Sequence, residues 1–322
     1  GAAPPSPEWL TGTGIAIGML DTVPPRGHFA DARLSLAADG MFDLAVGTAE
    51  FGNGTTTVHR QLAAATLGTS VDLIRILQAD TQLVGHDTGA FGSTGTVVAG
   101  LATTRAAEAL RARICAFAAG KAADGTGCSL QADGVQIACG LVSFPALAQA
   151  AAEVNETLTA SGRFDGTPRS VSFNVQAFTV AVHPRTGELR ILRSVHAADA
   201  GTVINPEQCR GQIEGGVAMA IGAALYERLD IDTTGAVANP AFRHYHIPAL
   251  ADVPRTEVLF AETRDRIGPF GAKSMSEAPF NPVAPALANA IRDATGVRFH
   301  ETPFRPDLIY RAITDAVSSR CV

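Results

Sequence analysis

The chain has 322 residues, 46% of them hydrophobic, and a formal net charge of −6 at pH 7. That is enough apolar material for a large buried core. With no run of lysine or arginine, the mild negative charge argues against nucleic acid or an anionic membrane surface as a partner. No apolar stretch approaches the ~20 residues that span a bilayer. The five cysteines contain no CxxC pair, so their spacing gives no iron–sulfur or zinc site, and their odd number argues against a closed disulfide framework. The eight histidines contain no HExxH pattern and read as surface or packing residues. The opening GAAPPSPEWL lacks an initiator methionine, a basic n-region and an apolar h-region, so it is not an intact signal peptide. It reads as a trimmed or processed start, or as a cut from something longer.

Residues 13–21, TGIAIGMLD, read as a strand. ARLSLAADGMFDLAVG, 32–47, alternates on both sides of Ala38-Asp39-Gly40 and predicts a hairpin. The spacing turns helical over 54–68, which opens on threonines and closes at Gly68. Residues 71–80 predict another strand, then the glycine-punctuated loop GHDTGAFGSTGT and a helix over about 97–120. AADGTGCSLQADG, 122–134, reads as a loop, and 144–160 as helix. Two long strands around His183–Gly187 make the clearest hairpin signal in the chain. Asn205-Pro206 supplies an N-cap and an N1 proline to a helix ending near Leu229. Asn281-Pro282 starts a last substantial helix closed by Gly296. No regular βαβα succession or internal repeat is present, so the expected class is α+β, with mixed sheets and helices.

Four stretches suit close approach to a ligand. In EFGNGTTT, 50–57, Gly52 and Gly54 let the backbone come near, and the following helix offers N–H groups to an anion. Taken alone it reads better as an ordinary strand-to-helix turn, because short glycine motifs are weak. DTGAFGSTGT, 87–96, lacks a GxSxG elbow and an assignable His–Asp pair, so Ser93 fits a cradle of N–H and hydroxyl donors better than a nucleophile. In GQIEGGVAMAIGAALYE, 211–227, one helix face is almost bare of side chains, which is commonly helix packing. Gln212 is the exception, because its amide can donate and accept at once. GAKSMSEAP, 271–279, sets one carboxylate, Glu277, behind small residues and ahead of a proline, which reads as a tight loop.

Together, and in this order, these stretches resemble the molybdenum-binding subunit of the xanthine dehydrogenase/aldehyde oxidoreductase family, from about Gly12 to Ala312. The strongest blocks are DAGTVINPEQCRGQIEGGVAMAIGAALYE, GAKSMSEAPFNPVAPALANAIRDATGVR and EFGNGTTTVHRQLAAATLG. The resemblance implies that Phe51, Gly52, Asn53 and Gly54 flank the molybdenum. It implies that Ala90, Phe91, Gly92, Ser93 and Gln212 hold a molybdopterin cytosine dinucleotide, with Lys273, Met275 and Ser276 beside it. Glu277 falls on the family's catalytic glutamate, a general base in a hydroxylation whose oxygen derives from water. No side chain is implied as a direct metal ligand. The implied architecture is one cofactor-binding domain over 1–322, in two intertwined lobes dividing near 120–165. Asn53 stands where the family usually has Gln, Thr94 often where it has Arg, and Ser274-Met275-Ser276 where it has Gly-Val-Gly. A positive φ at Ser276 would be strained.

The family's subunit is far longer, and the chain matches its C-terminal portion, as in the split form of nicotinate dehydrogenase. The implied partners are the N-terminal half of the catalytic subunit, an iron–sulfur subunit, and a flavin (FAD) or cytochrome subunit. The implied substrate is a small N-heterocyclic aromatic or an aldehyde. A cytoplasmic location is expected, with a periplasmic one left open through a partner's signal. The other reading is a noncatalytic assembly subunit that holds the cofactor.

Overall fold

The computed structural model describes residues 2–21, 28–120, 128–138, 140–165 and 169–320. Eleven strands and six α-helices are present among them, mixed along the chain as expected for α+β. The first half builds β2 (Phe29–Leu36), β3 (Phe42–Val46), β4 (Ile74–Gln78) and β8 (Thr159–Asp165) into one sheet of order β4-β3-β2-β8. The second half, joined by the N-terminal strand β1 (Leu10–Asp21), builds β9 (Val171–Val182), β10 (Leu189–Ala198) and β11 (Thr256–Phe260) into the order β1-β9-β10-β11. A small antiparallel sheet of β5 (Ser129–Leu130), β6 (Gly134–Ile137) and β7 (Gly140–Ser143) is inserted in sequence between β4 and β8 of the first sheet.

Each large sheet has its own core. Alternation along β2 turns Ala30, Ala32, Leu34 and Leu36 inward, and α2 (Gly95–Gly120) covers them with Ala102, Ala106, Leu110 and Ile114. In the other sheet the even positions of β9 face α5 (Val283–Thr295), and Phe178, Val180, Leu287 and Ile291 are buried there with Ile213 and Ile221 of α4 (Pro206–Leu225). Both sheets meet their helix through glycine. A Cβ on Gly14 would lie 2.1 Å from the Ala290 nitrogen, and one on Gly162 would lie 2.2 Å from the Ala102 oxygen. Backbones this close bury area at the centre of each layer pair, at ~25 cal/mol per Å² of apolar surface.

Local signals set most boundaries. α1 (Thr55–Leu67) starts after left-handed Gly54 and ends on left-handed Gly68. Asn205 caps α4 by accepting from Gln208 N–H, with Pro206 at N1. Gly296, φ 75°, closes α5.

Several expectations need correction. The loop expected over 122–134 carries β5 and the start of β6, while its first six positions lie outside the described residues. The helix expected over 144–160 is α3 (Phe144–Glu153), because the chain turns through left-handed Asn155 and re-enters the first sheet as β8. The strand expected from 71 begins with a 3-10 turn at Val71–Leu73, where the Ser70 hydroxyl accepts from Asp72 N–H. α4 stops at Leu225, four positions before Leu229. The parallel edge strand β11 and a final helix, α6 (Pro306–Arg320), were not expected.

Candidate functional site

Where the two cores meet, a cavity of about 300 Å³ is lined from both sides. The N-termini of α1, α2 and α4 all reach its wall, through Thr55, Gly95 and Asn205, and residues 272–276 close it. Helix N-termini carry unpaired N–H groups and a partial positive charge, so who occupies each one decides what the cavity can bind.

The N-terminus of α1 is already taken. Glu50 accepts from the N–H groups of Gly52 at 2.7 Å, Gly54 at 3.2 Å and Thr56 at 2.9 Å. Burial opposes its ionisation, but these donors outweigh burial and hold the carboxyl below its ordinary range. Of the N–H groups that EFGNGTTT was expected to offer an anion, those of Gly52, Gly54, Thr55 and Thr56 are therefore spent within the chain. Asn53 lines the cavity and its Oδ1 accepts from Thr55 N–H and hydroxyl, which directs the amide locally. Gly54 has a second reason to be glycine: a Cβ there would lie 2.6 Å from Gln208 Oε1.

The N-terminus of α2 is open. Val97 N–H donates to Ser274 Oγ at 3.1 Å, but the N–H groups of Gly95 and Thr96, both on the wall, have no acceptor among the described residues. Open space surrounds the Cα of Gly52, Gly92 and Gly95, so a ligand can approach the backbone there. On α4, Gln212 lines the wall and donates to Gly52 carbonyl at 3.3 Å.

Ser93 joins the second and fourth stretches. Its hydroxyl donates to Glu277 Oε2 at 2.9 Å and lies 3.0 Å from Glu277 N–H, from which it accepts. Ser93 holds φ 57° to do this, a strained conformation for a residue with a Cβ. The strain considered for Ser276 is therefore found at Ser93, since Ser276 is not among the positive-φ residues. Glu277 is exposed, with one carboxylate oxygen anchored and the other free of protein partners among the described residues.

Of the residues singled out from sequence, Phe51, Asn53, Ala90 and Ser93 line the cavity from the first core. Gln212, Lys273, Met275 and Ser276 line it from the second. Gly52, Gly54, Phe91, Gly92 and Glu277 do not line it, although each adjoins in sequence a residue that does. The Lys273 ammonium is committed within the chain, at 2.7 Å from Asp199 and 3.0 Å from the Val171 carbonyl. Burial raises the Asp199 carboxyl, yet hydrogen bonds from Lys273 and Thr263 outweigh it and keep it below the ordinary range. This pair ties the 271–277 loop to the end of β10, and Met275 packs into the second core.

Sequence reasoning missed Gln208, His59 and Cys209 on the wall. Gln208 sits one turn before Gln212, a spacing that places both on one helix face and was readable. Burial drives His59 down to about 4, so the ring is neutral, with Nδ1 2.8 Å from Thr103 Oγ1. Burial pushes the Cys209 thiol up to about 11, which leaves it protonated.

This set of donors and acceptors suits a polar organic ligand with anionic groups. It offers two free backbone N–H groups, the amides of Asn53 and Gln212, and a buried Gln208 Oε1 with no partner among the described residues. No group of three His, Cys, Asp or Glu among the described residues could hold a bare metal ion. The lining among the described residues therefore fits the polar and anionic groups of an organic ligand.

Comparison with known proteins agrees. Residues 2–254 match the molybdopterin cofactor-binding domain family. A probable hypoxanthine oxidase of Escherichia coli K12 is 34% identical over 325 aligned positions, covering 96% of this chain and 33% of that protein. The gamma subunit of a 6-hydroxypseudooxynicotine dehydrogenase complex of Paenarthrobacter nicotinovorans is 29% identical, covering 92% of this chain and 39% of that one. Among solved structures, quinoline 2-oxidoreductase of Pseudomonas putida 86 superposes with a TM-score of 0.86 at 25% identity, covering 96% of this chain and 42% of that one. The chain spans about a third to two fifths of these relatives' lengths. With most of its length matched to one family and its cavity suited to that family's ligand, the chain belongs to the molybdopterin cofactor-binding domain family.

Proposed function

We propose that the chain is the C-terminal, cofactor-holding portion of a molybdenum hydroxylase. With partner chains it would oxidise an N-heterocyclic aromatic or an aldehyde using water-derived oxygen, with Glu277 as general base. The observation that carries this reading is the Ser93–Glu277 contact, which fixes one carboxylate oxygen at the cavity's edge and leaves the other available for a proton. The names of the relatives, which include oxidoreductases of hypoxanthine, aldehydes and quinoline, support the reaction class.

Bound molybdopterin supplies a metal that takes up the substrate's electrons and activates the water-derived oxygen. The rest is the work of this chain. Gly95 and Thr96 N–H bind the anionic tail of a cytosine dinucleotide form, and Gln212 hydrogen-bonds the ring system. The Lys273–Asp199 pair keeps the 271–277 loop in place. Glu277 accepts the proton at its free oxygen while Ser93 holds its orientation. Iron–sulfur clusters, with FAD or a cytochrome beyond them, would lie on partner subunits.

Glu277→Gln in the assembled complex tests the reading. Turnover should fall ~10²–10⁴-fold, while molybdenum content and the CMP released by acid stay at wild-type levels, because glutamine keeps the size and the bond to Ser93. Retention of more than about a tenth of the rate, well short of that loss, would leave the chain as a cofactor-holding assembly subunit. Acid release of no nucleotide would point to the plain pterin.

A further inference from the structure

His59 lines the cavity yet is only 1% exposed, and the functional reading above leaves it unused. It lies one turn beyond Thr55 on α1, and both face the same wall. Its Nδ1 meets Thr103 of α2 at 2.8 Å, and Thr103 is fully buried. This contact joins α1 to α2 well below the open N-terminus of α2. From Thr96 to Thr103 the helix runs two turns, about 10 Å.

Thr103 decides which ring nitrogen carries the proton. Its neighbour Thr104 donates its hydroxyl to the Gly100 carbonyl one turn back, at 2.9 Å. The Thr103 hydroxyl makes no such bond and has His59 Nδ1 as its one partner among the described residues. A buried donor left without an acceptor is costly, whereas an unused lone pair on a hydroxyl is common. Thr103 therefore donates, Nδ1 accepts, and the ring proton sits on Nε2. Nε2 has no partner among the described residues, yet it is not one of the polar atoms sealed away from open space. Because the ring lines the cavity, its Nε2–H opens there.

We propose that His59 is a ligand-binding residue, donating from Nε2 to an uncharged acceptor, a ring carbonyl or ring nitrogen, on the heterocyclic part of the molecule the cavity holds. This role rests on the functional reading above and deepens it. Charge decides against a phosphate at this end. The ring is neutral, since burial holds it at about 4, and the one charge acting on it is the Asp87 carboxylate. Asp87 shares the wall and is fixed there, accepting from the Thr48 hydroxyl at 2.9 Å and from Gly89 N–H at 2.8 Å. A neutral donor near a carboxylate disfavours an anion and suits a polar ring edge. An anionic group finds Gly95 and Thr96 N–H instead, at the start of α2. The cavity thus has an anion end and a ring end, which sets the direction in which an extended ligand lies.

The test uses the assembled complex, purified through a tag on this chain, and reads how fast molybdenum and pterin are lost on mild warming. Mass spectrometry follows the metal, and fluorescence the released pterin. His59→Gln keeps an N–H at the reach of Nε2. His59→Asn keeps one only at the reach of Nδ1, so it preserves the contact with Thr103 and withdraws the donor from the cavity. Loss from His59→Asn should be about tenfold faster than from wild type, the effect of one hydrogen bond. Loss from His59→Gln should stay within about threefold. A purely structural His59 needs only its Thr103 side and would reverse that order. His59→Leu with Thr103→Val replaces both partners of the buried bond by apolar groups, which spares the fold, and it should also lose cofactor about tenfold faster. Wild-type loss rates in His59→Asn and in the double variant, or faster loss from Gln than from Asn, would overturn the proposal alone. A wild-type complex that assembles without molybdenum and pterin would sink the functional reading, and the role of His59 with it.

Discussion

The two four-stranded sheets are built alike on the inside and oppositely on the outside. Each presses a glycine against the backbone of its covering helix. The outer face of β4-β3-β2-β8 is then closed by its own polar pairs: Arg163 with Asp31, Arg75 with Asp43, and Ser35 with Thr159 at 2.7 Å. Cross-strand pairs of this kind satisfy an exposed sheet without a partner. The outer face of β1-β9-β10-β11 has hydrocarbon at the same alternation. One outer face carries ion pairs and paired hydroxyls, and the other carries exposed hydrocarbon. The cavity lies where the two cores meet.

The most severe way to break the shared inner design is to place a side chain at the glycine contacts. Gly14→Val and Gly162→Val should each cost ~3 kcal/mol or more, since the clash is with backbone and the helix must move off the sheet. Urea unfolding of each variant reads this, and equal losses would show that the two layer pairs depend on the same device.

A pH series probes both cores at once. His59 in the first and His196 in the second are buried, and burial holds each at about 4 against an ordinary 6.5. His196 sits between Gln176 at 2.8 Å and Asn174 at 3.0 Å. Both rings are neutral in the fold, and the unfolded chain takes up their protons as pH drops below about 6.5. Stability is therefore full above that value and falls as pH moves from about 6.5 towards 4, by up to ~3 kcal/mol per ring. His196→Gln should remove roughly half of that slope. A slope unchanged by the substitution would place the pH sensitivity elsewhere.

The smallest effects should come from the ion-paired face. Arg163→Ala breaks an exposed pair with Asp31 and should change stability by less than about 1 kcal/mol in urea unfolding. A larger loss would show that this face depends on the pair.

How much of this was readable follows from how local each signal is. The strands around His183–Gly187 and the start of α4 at Asn205-Pro206 are written in contiguous residues, and they form as expected. β11 is five residues after a long irregular stretch, and its order comes from parallel pairing with β10, which no local pattern records. The glycine loops were visible as loops, but the use of Glu50 as the cap of α1 depends on a backbone turn over six positions. The link between Ser93 and Glu277 spans 184 positions. Only the family resemblance, read over ordered blocks, suggested that these two stretches share a site. The open outer face was present in the alternation of GIAIGML, yet its meaning required knowing which side α5 covers.

The central claim is that the cofactor sits in this chain's cavity beside Glu277. Crystals of the assembled complex, measured on both sides of the molybdenum absorption edge, test it most directly. The account predicts one anomalous peak in the space bounded by Ser93, Gln212 and the 271–277 loop, close to the free oxygen of Glu277. A peak remote from these residues, or none with the complex intact, would contradict it.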